Sequence, residues 1–161
     1  MQRAELQDAF DHYVGTVGQI AACGDWSGFA DLFTEDATYC EHAYGDFRGR
    51  EQIRPWIVRT MTTFPGNQMV AFPPAWAVLD PDGRRVVCEI RNLMRDPGDG
   101  SVHEASNITI LSYACDGLWS REEDVYNPQR FADMVRRWAV VARDHGTLDA
   151  AGAVMLDALG G

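Results

Sequence analysis

The sequence predicts an α+β fold: a cone-shaped, curved antiparallel meander with three N-terminal helices and an additional C-terminal helix. Three observations carry this. Leu6, Phe10, Tyr13, Val17 and Ile20 recur at steps of four and three, the apolar stripe of an amphipathic helix. Four strand-like runs follow one another in the second half, parted by the turn signals Asp80-Pro-Asp-Gly, Asp96-Pro-Gly-Asp-Gly and Cys115-Asp-Gly. Connections that short join antiparallel neighbours. Asn127-Pro128 then opens a helix with a capping side chain and a first-turn proline, and Phe131, Val135, Trp138 and Ala142 give it one apolar stripe.

The first helix is expected from about Glu5 to Cys23, where Gly24 stops it. Asp25 caps a short second helix that buries Trp26, Phe29, Leu32 and Phe33. Thr34-Glu-Asp reads as a turn, Ala37 to His42 as a short strand, and Ala43 to Gly49, with its two glycines, as a loop. A third helix follows Gly49 with Ile53, Ile57, Thr60 and Met61 on its inner face. Pro55 lies too deep for a first-turn proline and predicts a kink or a late start. Phe64-Pro-Gly-Asn ends this helix. The strands span Gln68–Leu79, Arg84–Arg95, Val102–Ala114 and Leu118–Tyr126; Pro73-Pro74 interrupts the first of them or places it on an edge. Gly146 closes the C-terminal helix and leaves a small-residue tail, 146–161, with weak helical character around Ala150–Leu159. With no repeat, low-complexity tract or linker, residues 1–161 read as a single domain.

Composition narrows the function classes. A chain of 161 residues with 46% apolar and 24% charged residues is a soluble globular type with enough length for a real core. Its net charge of −10 argues against nucleic acid, which needs clustered Lys and Arg. The basic groupings Arg48/Arg50/Arg54, Arg84/Arg85 and Arg136/Arg137 read as turn and helix-surface charge. No run approaches the roughly 20 apolar residues of a membrane span. The polar N-terminus is unlike a secretory signal, and Cys23, Cys40, Cys88 and Cys115 lack paired-ligand spacing, so a reduced, cytoplasmic protein is expected. The four histidines are scattered and predict no metal.

The candidate chemistry sits on the strands. Tyr39 and Glu41 lie two apart and share a face; inside an apolar cone a carboxylate there becomes a general base, and at a wet strand end it pairs with Arg48 or Arg50. His42 points to the opposite face if the strand continues. His103 and Asn107 share a face of a middle strand; His103 follows a turn and Asn107 is the better polar anchor. Glu89 and Arg91 share another face, as a pocket pair or a surface ion pair. Asp124 shares its face with Glu122 and Tyr126, a row that is either solvated or a polar pocket floor. Trp56 and Trp76 are candidates for an apolar wall.

The succession Gly24-Asp25-Trp26, a short helix ending Leu32-Phe33, Thr34-Glu35-Asp36-Ala37-Thr38-Tyr39, then Gly45-Xaa-Phe47-Xaa-Gly49-Arg50-Glu51-Xaa-Ile53 resembles the nuclear-transport-factor-two-like superfamily, and within it the SnoaL-like group. The resemblance runs from the first helix to about Tyr126. It implies the cone fold and a range of activities: ketosteroid isomerases, polyketide cyclases, limonene-epoxide hydrolases, dehydratase-like lyases and non-catalytic binding domains. By the isomerase pattern Glu41 falls on the general base, while Val17 and Thr109 replace the two oxyanion donors unless Tyr13 or Asn107 substitutes. By the epoxide-hydrolase pattern Tyr39 and Glu41 fall on the water-holding pair, Arg91 near the arginine and Asp124 on the water-activating aspartate, with Leu93 in place of the second acid.

These strands of evidence imply a cofactor-independent enzyme for acid–base isomerisation, cyclisation, dehydration or water addition on a small hydrophobic molecule such as a polyketide, terpenoid or steroid-like compound. Glu41 or Asp124 is the expected base, Tyr39 the positioning hydroxyl, His42 or His103 the acid; Asn107, Arg91, Tyr13, Trp56 and Trp76 are the expected substrate-binding residues. The alternative is a non-catalytic binding or assembly domain of the same fold. The resemblance also implies a homodimer through the outer sheet face, where Ile108 and Ile110 project.

Overall fold

The computed structural model describes residues 2–158. Helix α1 (Arg3–Cys23) buries Leu6, Phe10, Tyr13, Val17 and Ile20, the stripe its spacing dictates. It ends at Gly24, whose φ of 75° is open to glycine; the Gly24 N–H donates to Ile20 O at 2.8 Å. Asp25 accepts from the Ser27 N–H at 3.0 Å and starts a 3-10 segment (Trp26–Leu32) that buries Trp26, Phe29 and Leu32.

Strand β1 (Phe33–Glu41) then begins at once, so the expected Thr34–Asp36 turn is a correction: it is a bulge inside the strand. Phe33 pairs with Trp119 and Thr38 with Arg121, five steps on one strand against two on the other, and the surplus loops out with Thr34 Oγ1 donating to Asp36 at 2.9 Å. The segment expected to be a loop also contains a strand, β2 (Gly45–Arg48), paired antiparallel with β1. Helix α2 (Arg50–Thr62) runs straight from Gly49 with Pro55 in its exposed side, so no late start occurs; Ile53, Trp56 and Ile57 are buried, while Thr60 and Met61 are half-buried.

The first long strand expected after α2 is divided. A 3-10 turn (Gly66–Gln68) precedes β3 (Met69–Ala71), and β4 (Pro74–Asp80) follows after Phe72-Pro73; among the described residues both pair only with β5 (Arg85–Met94). Proline lacks the N–H a central ladder requires, which accounts for the break. β4, β5, β6 (Glu104–Cys115) and β7 (Leu118–Val125) form the expected antiparallel meander. β1 joins it in parallel on β7, giving the order β2-β1-β7-β6-β5-β3. The result is a curved seven-stranded sheet with helices before and after it.

Helix α3 (Pro128–Asp144) is capped by Asn127, which accepts from the Gln129 N–H at 3.0 Å, and α4 (Ala150–Ala158) follows. Leu159, at the end of the expected helical tail, lies outside the described residues. One core packs α1 and α2 against the sheet; a second gathers Met94, Met134, Val135, Trp138, Ala139, Ala142 and Leu156 around α3. The four cysteines are free thiols. No helix among the described residues is long and apolar enough to cross a membrane.

Candidate active site

Period-two alternation decides which side chains enter the cone. On β5, Val86, Cys88, Ile90, Asn92 and Met94 are buried; on β6, Asn107, Thr109, Leu111 and Tyr113. On β7 the inward set starts at Trp119, and a register shift against β6 between Ser112 and Cys115 moves it to Glu122 and Asp124. Pairing then sets two rows across three strands: Glu41–Asp124–Thr109 and, one step on, Tyr39–Glu122–Leu111.

Of these, Tyr39, Glu41, Thr109, Glu122 and Asp124 form the polar floor of a cavity of about 1120 Å³. Its walls are apolar and aromatic, with Val17, Trp26, Phe29, Trp56, Phe72 and Ile90 among them, and α3 and α4 contribute Phe131, Val135, Val154 and Met155. Trp56 stacks on Phe47 at 4.5 Å and packs against Tyr39 at 4.7 Å. The single cation among the described lining residues is the exposed Arg59.

Asp124 is the most elaborately held group in the floor. Its Oδ1 accepts from Asn107 Nδ2 at 2.7 Å and Thr109 Oγ1 at 2.6 Å, and its Oδ2 lies 2.5 Å from the Tyr39 hydroxyl. Asn107 is itself held by Asn92 Nδ2 at 2.7 Å and uses its second amide hydrogen on Thr109 Oγ1 at 2.8 Å. Burial pushes the Asp124 carboxyl up to about 6; the Thr109, Tyr39 and Asn107 donors pull the other way, and Glu41 adds to the rise. Next to it Glu122 is 2% exposed, with Tyr13 Oη at 2.9 and 3.0 Å from its two oxygens and Tyr39 Oη at 3.0 Å. Burial, and then the charge of Asp124, hold the Glu122 carboxyl well above the usual carboxylate range. Burial first and these acids second raise the Tyr13 and Tyr39 phenols, so both remain neutral donors.

Glu41 lines the same cavity and is 6% exposed, but its oxygens are occupied: Oε2 accepts from the N–H groups of Ala43 at 2.7 Å and Tyr44 at 2.6 Å, and Tyr126 donates to Oε1. It pairs with neither Arg48 nor Arg50; Arg50 Nε donates to Phe33 O at 2.7 Å. Glu41 therefore closes the β1–β2 turn and orients Tyr126.

Tyr13, Tyr39, Glu41, Trp56, Asn107 and Asp124 thus converge on one cavity. Four expected site residues do not. His42 follows the last residue of β1 and contacts Glu123 Nε2-to-Oε1 at 3.1 Å on the outer side, half exposed. His103 precedes β6, with Ser101 Oγ at 3.0 Å. Arg91 stands between the inward Ile90 and Asn92, so alternation turns it outward to Glu104 at 2.5 Å. Trp76 lies on the edge strand β4, 45% exposed, and donates to Glu89 at 2.7 Å. None of the four lines the cavity. Glu122, Thr109 and Asn92 join the site instead. The face shared by Glu122 and Asp124 signalled the first, and alternation from Ile90 would have found Asn92.

Outside the cavity, donor atoms of Cys40, His42 and Glu123 lie within 4.8 Å of one another. Arg121 claims the same Glu123 carboxylate at 2.9 Å, and Asp46, accepting from the Cys40 thiol, pushes it up to about 11. The trio is a surface ion-pair cluster.

The buried carboxyl has a consequence for stability. Asp124 rises from an ordinary 3.8 to about 6, so the folded protein binds its proton more tightly than the unfolded chain. The stability this gives is full below pH 3.8 and is lost as pH rises towards about 6. Thermal melts between these values are expected to fall with pH in the wild type and to flatten in Asp124→Asn. Equal slopes in the two proteins would contradict the assignment.

Comparison with known proteins agrees with this architecture. The SnoaL-like domain model matches residues 2–124. A solved structure from Catenulispora acidiphila DSM 44928, a hypothetical protein with a ketosteroid isomerase-like fold in complex with trimethylamine, is 24% identical, covers 71% of this chain and 85% of that one, and superposes with a TM-score of 0.55. A candidate isomerase from Bacillus subtilis is 16% identical over 83% of this chain and 95% of its own, with a TM-score of 0.62. A candidate polyketide cyclase from Xanthomonas campestris pv. campestris is 16% identical over 82% and 97%, with a TM-score of 0.59. At such identities the likeness is one of fold. No curated protein matches the chain. The family model spans most of the sequence and the sheet and helices fit it: the chain belongs to the SnoaL-like domain family.

Proposed function

We propose that this protein is a SnoaL-like acid–base catalyst in which Asp124 takes a proton from a small, mostly apolar, uncharged molecule. One observation carries the reading: a half-buried carboxylate on the floor of an apolar cavity, fixed by Tyr39, Thr109 and Asn107. A carboxylate in that setting is a stronger base than one in water, and three donors hold it in a single orientation. With Glu41, Glu122 and Asp124 in the cavity and Arg59 at its exposed side, an anionic substrate is disfavoured. Aromatic walls suit a polyketide, terpenoid or steroid-like skeleton. The reaction class is proton-transfer isomerisation, cyclisation, dehydration or water addition by side chains alone, with Tyr39 and Asn107 positioning and Tyr13, Trp56 and Tyr126 shaping the pocket. The candidate cyclase and isomerase among the fold neighbours support this class. A homodimer through the outer sheet face, with the partly exposed Ile108 and Ile110, belongs to the same proposal.

The test is a pH–rate profile on substrates selected by binding. A base must be ionised to act, so kcat/KM is expected to rise through about pH 6 and level off above it. A profile flat from pH 4 to 8 would remove Asp124 from the role. Tight binding with no turnover of any bound compound would favour the non-catalytic binding domain.

A further inference from the structure

We propose that Glu122 stores the proton that Asp124 exchanges with its substrate, the two carboxyls holding one proton between them across the hydroxyl of Tyr39, a role that rests on Asp124 being the base. The proposal follows from counting hydrogens. Tyr39 Oη lies 3.0 Å from Glu122 Oε1 and 2.5 Å from Asp124 Oδ2, and a phenol has one hydroxyl hydrogen to give. The other oxygen–oxygen contact needs a second hydrogen. Tyr13 has committed its own to Glu122 and Thr109 its own to Asp124, while both amide hydrogens of Asn107 are used on Asp124 and Thr109. A carboxyl must supply the missing one.

The surroundings decide which. Apart from the shared Tyr39, Asp124 receives two donors, Thr109 and Asn107; Glu122 has Tyr13 alone and is almost fully enclosed. Donors stabilise the ionised form and enclosure the neutral one, so the charge sits on Asp124 and the proton on Glu122. The other titratable groups facing the pair are Tyr13 from α1, Tyr39 and Glu41 from β1, Cys88 from β5 and Tyr126 beyond β7, and none carries positive charge. Without a cation, two buried carboxylates bridged by one hydroxyl do not both ionise.

This arrangement can turn over without solvent. The Glu122 proton passes to Tyr39 Oη as the Tyr39 proton passes to Asp124 Oδ2. One O–H bond breaks and one forms at each step, no electrons are exchanged, and the total charge is unchanged. With the proton on Glu122 the cavity faces a base; with the proton on Asp124 it faces an acid. From the acid form Asp124 gives its proton to one substrate atom, or to a departing hydroxide that leaves as water, then as carboxylate takes a proton from another atom; the reverse relay through Tyr39 returns it to Glu122, and the pair again holds one proton. Glu122 acts through Tyr39 and is a positioning residue.

The experiment is a carbon-13 NMR titration of the side-chain carboxyls in the substrate-free protein. In the wild type the Glu122 carboxyl carbon is expected to keep its protonated shift at pH 7 while Asp124 titrates near 6. In Glu122→Gln a neutral amide replaces a neutral acid, so the Asp124 midpoint is expected to stay within about one unit. A Glu122 carboxyl ionised at pH 7, or an Asp124 midpoint falling by more than about one unit in Glu122→Gln, would overturn the store. Tyr39→Phe is expected to raise the Asp124 midpoint through loss of a donor; an unmoved midpoint would overturn the bridge. These readings need no substrate, so they can fail while Asp124 remains the base. Full turnover by Asp124→Asn would instead remove the base whatever the titration shows.

Discussion

Asp124→Asn is expected to lower turnover by about 10²–10⁴-fold, the usual worth of a general base, with no loss of thermal stability at pH 7. The substitution is close to isosteric, and the network can accept it. The amide oxygen takes the place of Oδ1 and accepts from Thr109 and Asn107, while the amide nitrogen donates to Tyr39, whose hydroxyl then turns to Glu122. The donors on Oδ1 keep an acceptor, and a charge held only by neutral hydrogen-bond donors is taken out of the cavity floor, so the melting temperature at pH 7 is expected to hold or rise. Turnover and thermal melts on the same preparation separate the two effects. A large drop in both would mean that the network was serving the fold; a wild-type rate would mean that another group takes the proton.

Trp138→Ala is expected to destabilise the protein by about 3–5 kcal/mol, the range for a fully buried aromatic truncated to alanine. Trp138 is 0% exposed and is the largest side chain in the second core. Its Nε1 donates to Arg95 O at 2.7 Å, the Arg95 guanidinium lies 5.1 Å from its ring centre, and Phe64 packs on it at 6.3 Å. Truncation leaves a void, an unpaired carbonyl and an unstacked guanidinium together. Urea denaturation measures the loss. Phe131 and Val135 lie on the same helix and wall the cavity, so ligand affinity is expected to fall with stability. A loss below about 1 kcal/mol would show that α3 contributes little to holding the cone closed.

Much of the fold was legible because its periodicity is strong. The α1 stripe, the hairpins of β5 to β7 and the Asn127-Pro128 cap are local signals, and each forms where the sequence points. What escaped is tertiary in origin. β2 is four residues of Gly-Asp-Phe-Arg, a composition that reads as loop and becomes strand because β1 offers an unpaired edge. The parallel β1–β7 pairing leaves no local trace, since its partners are some eighty residues apart. The site divides the same way. Tyr39, Asn107 and Asp124 point inward as alternation requires; the same rule turns Arg91 outward between Ile90 and Asn92, and resemblance alone had drawn it towards the pocket. Glu122 stood in the sequence beside Asp124, but its partnership with Tyr39 depends on the parallel register and on the shift at Ser112–Cys115.

The parallel pairing also bears on how the chain acquires its chemistry. β4 to β7 can zip up through short turns, whereas the ladder that sets Tyr39 opposite Glu122 and Glu41 opposite Asp124 must close a loop of about eighty residues. Loop closure of that span is entropically costly, and contacts of high sequence separation form slowly. The polar floor is therefore expected to form late in folding, after the meander exists. A nascent or partly folded chain can display most of the native sheet and still have no site, so the onset of Asp124 reactivity would clock completion of the native state rather than collapse.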